Sequence, residues 1–173
     1  LAPGEAFHYS NLAYGLLGHV VERIEGAPWA EVVRRRVLEP LGMHRSGLAE
    51  APADRAVGYH VHPMTRVAQI EPLLELRSTV PVGGMWSTVA DLARYGAFLA
   101  DPRPDILAPA TLDEMCRPVV MVDCDAWTRG FGLGFELARV GERVLVGHLG
   151  AMPGYHTGLR VSRADRVGAV VAT

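Results

Sequence analysis

Leu12, Leu16, Leu17, Val20, Val21 and Ile24 recur at helical spacing and Gly26 follows them, which predicts a helix over residues 12 to 24 with a glycine stop. A second helix is expected from Pro28, whose fixed φ suits a first turn. It carries Trp29, Val32, Val33 and Val37 and ends at Pro40, with Arg34, Arg35 and Arg36 on its solvated face. In "GGMWSTVADLARYGAFLADP" Thr88 and Asp91 have capping-box spacing, Leu92, Tyr95 and Leu99 share a face, and Asp101-Pro102 closes a third helix. "TLDEMCRP" adds a short one. After Gly130 the texture changes to strands, "FGLGFELA", "RVLVGHLG", "YHTGLRVS" and "RVGAVVAT", separated by the turns "RVGER", "AMPG" and "RADR". Tight turns between consecutive strands favour antiparallel pairing, and helices followed by strands give an α+β architecture. The expected organisation is one partial domain over residues 1 to 173, with a mainly helical region at 1 to 130 and antiparallel strands at 131 to 173. Residues 43 to 80 lack sustained periodicity and read as a long ordered excursion.

Composition narrows the function. The 173 residues are 49% hydrophobic, enough for a globular core, and the formal charge of -2 provides no basic field for nucleic acid or anionic lipid. No apolar run reaches the about 18 residues of a membrane span, and no charged-then-apolar leader opens the chain. All 17 cationic residues are arginine; there is no lysine. Cys116 and Cys124 are close enough in sequence to close a short loop, although spacing alone does not decide whether they pair. Leu1 is not a natural start and "RVGAVVAT" stops inside a strand pattern, so the chain is expected to be cut at both ends.

Three stretches carry the chemistry: "APGEAFHYSNLAYGLLGHVVERIEGAPWAEVVRRRVLEPLGM", "GGMWSTVADLARY" and "GHLGAMPGYHTGL". In this order they resemble the serine beta-lactamase-like hydrolases, a family that includes class C beta-lactamases, esterases, D-aminopeptidases and DD-peptidases. The resemblance implies a beta-lactamase/transpeptidase-like fold, here incomplete, and a small-molecule or peptide substrate. That family builds its site from a Ser-x-x-Lys nucleophile, a Tyr-x-Asn or Ser-x-Asn loop, and a Lys-x-Gly or His-x-Gly strand. Tyr9-Ser10-Asn11 matches the second element and His148-Leu149-Gly150 the third.

By that resemblance Tyr9 relays a proton or acts as a phenolate beside the nucleophile, and Asn11, set two residues on in a non-helical turn, holds the lysine and a substrate amide. Gly150 gives substrate room against the strand, the Ala151 amide serves as an oxyanion donor, and His148 supports the site electrostatically or orients substrate. Leu149, Gly83 and Gly84 are expected to border the substrate. Histidine in place of lysine removes a permanent positive charge, which favours an esterase or peptidase over an efficient beta-lactamase. No metal or organic cofactor is implied.

One element is missing. Ser-x-x-Lys needs a lysine, so none of Ser10, Ser46, Ser78, Ser87 and Ser162 can be its nucleophile, and that element is expected upstream of Leu1 or on another polypeptide. The chain alone should then be inactive, and a missing N-terminal segment of the same domain is its expected partner.

Two rival readings stand beside this one. The first is a non-catalytic binding module that retains the family cleft. The second is a metal-assisted hydrolase using His60 and His62, which would meet one ion if they lay on a strand, but no cysteine or carboxylate cluster stands near them in sequence. Taken in isolation, Tyr9 to Asn11 would be a helix start capped by Asn11, and His148 a structural histidine on an apolar strand. The Gly150, Gly154 and Gly158 intervals are not those of a dinucleotide fingerprint.

Overall fold

The computed structural model describes residues 7–48, 50–76, 79–123 and 125–173. Ser78 and Cys124 lie outside the described residues, and with Cys124 lies the question of its pairing with Cys116.

Helix α1 (Asn11–Glu25) begins at Ser10, whose side chain accepts from the Ala13 amide, and ends at Gly26 with φ 64°. Its apolar stripe faces outward: Leu12 is 75% and Ile24 76% exposed, while Gly15 and Gly18 are buried. A Cβ on Gly18 would stand 2.2 Å from the Pro81 ring, so it is the glycine face that packs, against α3 (Val80–Gly83). Helix α2 (Trp29–Val33) continues as a π-helical turn over Arg34–Leu38, and Glu25 ties it to α1 by accepting from Arg35 and Arg36.

Two small ribbons occupy the excursion. Strand β1 (Gly47–Leu48) pairs with β4 (Met85–Trp86), and β2 (Tyr59–Val61) pairs with β3 (Ala68–Ile70). Helix α4 (Val89–Ala100) follows, capped by the Thr88 side chain on the Asp91 amide at 3.1 Å. The Asp91 carboxylate does not complete a capping box. It is buried and accepts from the Arg45 amide (2.8 Å), the Ser46 hydroxyl (2.9 Å) and Arg94 (2.6 Å), fastening the start of the excursion to α4. Helix α5 (Pro109–Met115) precedes the main sheet.

That sheet has six antiparallel strands in the order β10-β9-β8-β7-β6-β5. They are β5 (Val120–Met121), β6 (Arg129–Phe131), β7 (Glu136–Val140), β8 (Arg143–Met152), β9 (Tyr155–Ser162) and β10 (Val167–Ala172). It begins earlier than residue 131, and "FGLGFELA" is split between two strands. The break falls at a tight turn after Phe131, where the Gly132 amide donates to the Phe135 carbonyl (2.9 Å) and the Leu133 amide to the Met115 carbonyl (2.9 Å). Helix α4 packs on β9 and β10, and Leu38, Phe98, Leu99, Leu112, Leu137, Val146 and Val161 form the core between helices and sheet.

Glu136, at the start of β7, is the one buried glutamate among the described residues. Arg129 donates to its Oε1 from Nε and Nη2 (3.0 and 2.7 Å), and Arg160 donates to Oε2. Burial opposes ionisation, but the hydrogen bonds and charges of Arg160 and Arg129 outweigh it and hold the carboxyl below its ordinary value. A carboxylate with a lowered folded-state pKa stabilises the fold above its unfolded pKa, and that contribution is lost as pH falls through the folded value. Glu136→Gln is therefore expected to cost about 1–3 kcal/mol at pH 7. The gap to wild type should narrow below about pH 4. Urea unfolding at several pH values checks this, and a pH-independent gap would contradict it.

Candidate active site

The site forms where β8 outruns β7. Strand β7 pairs with β8 only from Arg143 to Gly147, whereas β9 pairs with it from Leu145 to Met152. The direction of the backbone groups follows from the register. His156 exchanges both backbone hydrogen bonds with Thr173 (3.0 and 2.9 Å), so its amide faces the β10 side. Neighbouring residues of an antiparallel strand turn their N–H and C=O to opposite edges, so Thr157 faces β8 and its partner Gly150 faces β9. Leu149 and Ala151 then present their backbone groups to the other edge of β8, beyond the end of β7. This leaves the Ala151 N–H as a donor at an edge with no strand paired to it among the described residues.

His148 comes to the same edge. Its Nδ1 lies 2.5 Å from the Leu149 carbonyl oxygen. A carbonyl only accepts, so Nδ1 carries the hydrogen in this contact, which makes Nε2 the ring's acceptor in the neutral form. Tyr9, exposed in the segment that leads into α1, brings its ring to a centroid distance of 6.1 Å from His148. The two line one cleft of about 310 Å³ together with Phe7, His8, Ser10, Tyr14, Val119, Val120, Phe131 and Gly132.

The other expected residues fall around this centre. Asn11 is the first residue of α1, not part of a non-helical turn, and Ser10 is the cap. The physical reason is that the serine hydroxyl reaches the Ala13 amide from an extended backbone, which leaves Asn11 inside the helix at its exposed mouth. Gly150 is on β8, and a Cβ there would lie 2.5 Å from Thr157 Oγ1, so the room it provides is taken up by the neighbouring strand's side chain. Leu149 is exposed, and its side chain covers Gly158, whose Cβ would meet Leu149 Cδ2 at 3.2 Å. Gly83 abuts the end of β8, where a Cβ on it would lie 3.2 Å from Met152 Sδ, whereas Gly84 turns tightly against Val80. Neither glycine lines the aromatic cleft.

Four serines have structural duties. Ser10 caps α1, Ser46 and Ser87 join each other at 2.8 Å beside Asp91, and Ser162 donates to Asp165 at 2.6 Å. His60 does lie on a strand, but its Nδ1 stands 2.6 Å from Glu71, a carboxylate brought near by the β2–β3 pairing. His62 Nδ1 accepts from the amides of Met64 and Thr65 and organises the ribbon's turn. Among the described residues no third ligand joins this pair.

Sequence reasoning missed Phe131 and the aromatic wall around it. The available signal was the glycine on either side, since Gly130 and Gly132 both mark places where another backbone comes close. It also missed Tyr155. Its hydroxyl accepts from the Gly58 amide (3.1 Å) and donates to the Ala56 carbonyl (2.9 Å), and its ring meets Trp86 edge-on, so the tip of β8–β9 holds the excursion beside the site.

The profile of the Beta-lactamase family matches residues 1–173, and the chain belongs to that family. Penicillin-binding protein 4 of Amycolatopsis lactamdurans is 30% identical over 183 aligned residues, covering 99% of this chain and 48% of that protein. Esterase EstB of Burkholderia gladioli is 48% identical over a shorter stretch of 60 residues, 34% of this chain and 15% of that one. The octameric penicillin-binding protein homologue from Pyrococcus abyssi superimposes with a TM-score of 0.87 at 27% identity, over 99% of this chain and 39% of its own. The α+β, beta-lactamase-like fold expected from the sequence is therefore the observed one. The chain spans less than half the length of curated relatives that it matches over nearly its whole extent. Among the described residues no helix is long and apolar enough to cross a membrane.

The geometry of β8 separates two of its glycines. A Cβ on Gly147 would stand 1.9 Å from the Leu159 carbonyl oxygen, a backbone atom that cannot step aside, whereas the obstacle at Gly150 is a rotatable side chain. Gly147→Ala should cost about 3 kcal/mol or more and Gly150→Ala about 1 kcal/mol. Thermal melts of the two variants check the order, and equal losses would contradict the β8–β9 register.

Proposed function

We propose that this chain provides the Tyr-x-Asn and His-x-Gly side of a serine hydrolase that works through an acyl-enzyme. The preferred bond is an ester or amide, ahead of a beta-lactam. The observation that carries the reading is the meeting of Tyr9 and His148 across one cleft, next to the free β8 edge that presents the Ala151 amide. The similarity to penicillin-binding proteins and to an esterase supports it.

In this reading Tyr9 takes the proton of the attacking serine hydroxyl, directly or through lysine, and returns it to the leaving group. The Ala151 N–H donates to the oxyanion as the carbonyl carbon becomes tetrahedral. Asn11 orients the acyl-side amide, and Gly150 keeps the strand flush with Thr157 so that the edge stays straight. His148 contributes Nε2 as a hydrogen-bonding group without a permanent charge, so a substrate carboxylate has no fixed cation to meet there. The serine and lysine come from outside residues 1 to 173. The outward apolar stripe of α1 supports this, because Leu12, Leu16, Leu17, Val20 and Ile24 need a surface to cover them.

The test is Tyr9→Phe in the full-length protein that carries this chain. The variant is expected to lower kcat at least 100-fold while KM stays within about threefold, the range associated with losing a general acid–base group. Equal losses in kcat and affinity would make Tyr9 a structural residue. An unchanged rate would remove it from the mechanism.

A further inference from the structure

The β2–β3 ribbon is amphipathic the wrong way round. Val57, Tyr59 and Val61 are exposed, while Gly58 between them is buried and His60 half-buried. A Cβ on Gly58 would point at the Tyr155 ring (2.9 Å) and the Gly154 carbonyl oxygen (3.0 Å), so the even positions of β2 face the β8–β9 tip and the odd, apolar ones face away from it. On β3, Ala68 and Ile70 continue that outer face opposite Val61 and Tyr59.

The same residues of β2 hold free backbone. The His62 amide donates to the Val67 carbonyl (3.0 Å) and the Glu71 amide to the Gly58 carbonyl (2.9 Å), so residues 58, 60 and 62 turn their backbone groups to β3. Tyr59 and Val61 then turn theirs to the outer edge of β2, which pairs with no strand among the described residues. We propose that this edge is a homodimer interface, in which two copies pair β2 antiparallel about a two-fold axis through Tyr59 and close a four-stranded sheet.

Three observations favour a second copy over any other partner. The strand is palindromic in character: about Tyr59, Val57 meets Val61 of the second copy and Gly58 meets its His60, so apolar faces apolar and each imidazole faces a residue without a side chain. An axis through His60 would set the two imidazoles against each other instead. Residues 57 to 61 also include no carboxylate and no arginine, the kind of charge with which exposed edges ordinarily ward off pairing. Strand β3 is guarded by contrast, since Arg66 precedes it, Glu71-Pro72 follows it, and Pro72 has no amide to give. Finally, a two-stranded ribbon is marginal by itself, and pairing with a second copy makes it four-stranded. The contact is short, so it belongs with weak interfaces of under about 1,200 Å².

The test is sedimentation equilibrium of the full-length protein that carries this chain, from about 1 μM to about 1 mM, where a weak dimer forms and dissociates. Wild type is expected to dimerise in this range. Tyr59→Lys sets like charges face to face across the axis and should weaken dimerisation about tenfold or more. Val57→Glu and Val61→Lys should each weaken it about fivefold, and the double variant should return to within about threefold of wild type, because the new carboxylate then meets the new ammonium of the second copy. Ile70→Lys, one strand removed from the contact, should change it less than about threefold. All four positions are exposed, so the fold should persist in every variant. The amides of Tyr59 and Val61 should also exchange hydrogen more slowly at the high end of the concentration range than at the low end. A protein monomeric throughout, a dimer indifferent to Tyr59→Lys, a double variant no better than the singles, or exchange that ignores concentration would overturn the proposal.

Discussion

The free edge of β8 is the constraint on which the site depends. A strand ten residues long is paired on one side only as far as Gly147, and on the other side as far as the Met152–Tyr155 turn. The unpaired stretch is stiff because β9 holds it through every residue, yet its outer backbone groups have no strand partner in β7. An edge of this kind is a hazard in most proteins and a ready recognition surface where a site is built on it. Gly147 makes the close approach to Leu159 possible, and Gly150 accommodates Thr157. The line of the edge is thus set by two small residues that never need to touch a substrate.

Around that edge the helical region is anchored by polar links over long sequence distances. Asp91 ties α4 to Arg45 and Ser46, and Tyr155 ties the β8–β9 tip to Ala56 and Gly58. The buried Asp91 carboxylate is fully hydrogen-bonded, as burial requires. Together they keep the excursion and the β1–β4 ribbon beside the end of β8, while Tyr9 approaches from the start of α1.

What was legible in the sequence followed from local rules. Periodicity placed α1 within about a residue of its ends. Thr88 announced α4, and the Tyr-x-Asn and His-x-Gly spacings named Tyr9 and His148, whose rings lie 6.1 Å apart. The rest depended on distant partners. The capping-box spacing of Asp91 was visible, but its carboxylate turned to a loop 45 residues away. The apolar stripe of α1 signalled a wish for burial, while the buried face turned out to be Gly15 and Gly18, chosen by the proximity of Pro81 and Val82. The β2–β3 ribbon escaped notice because its turn has no glycine signal; Arg66 takes φ 58° and His62 accepts the turn amides. Phe131 belongs to the site only because β5, β6 and the segment before α1 converge.

The chemistry proposed for Tyr9, His148 and the β8 edge needs a serine supplied from outside residues 1 to 173, and all of it hangs on that serine. The most direct measurement is intact-mass and peptide mapping of the full-length protein after treatment with a fluorophosphonate probe. One adduct is predicted, on a serine of a Ser-x-x-Lys sequence outside these residues. An adduct on Ser10, Ser46, Ser87 or Ser162, or no adduct on well-folded protein, would contradict it.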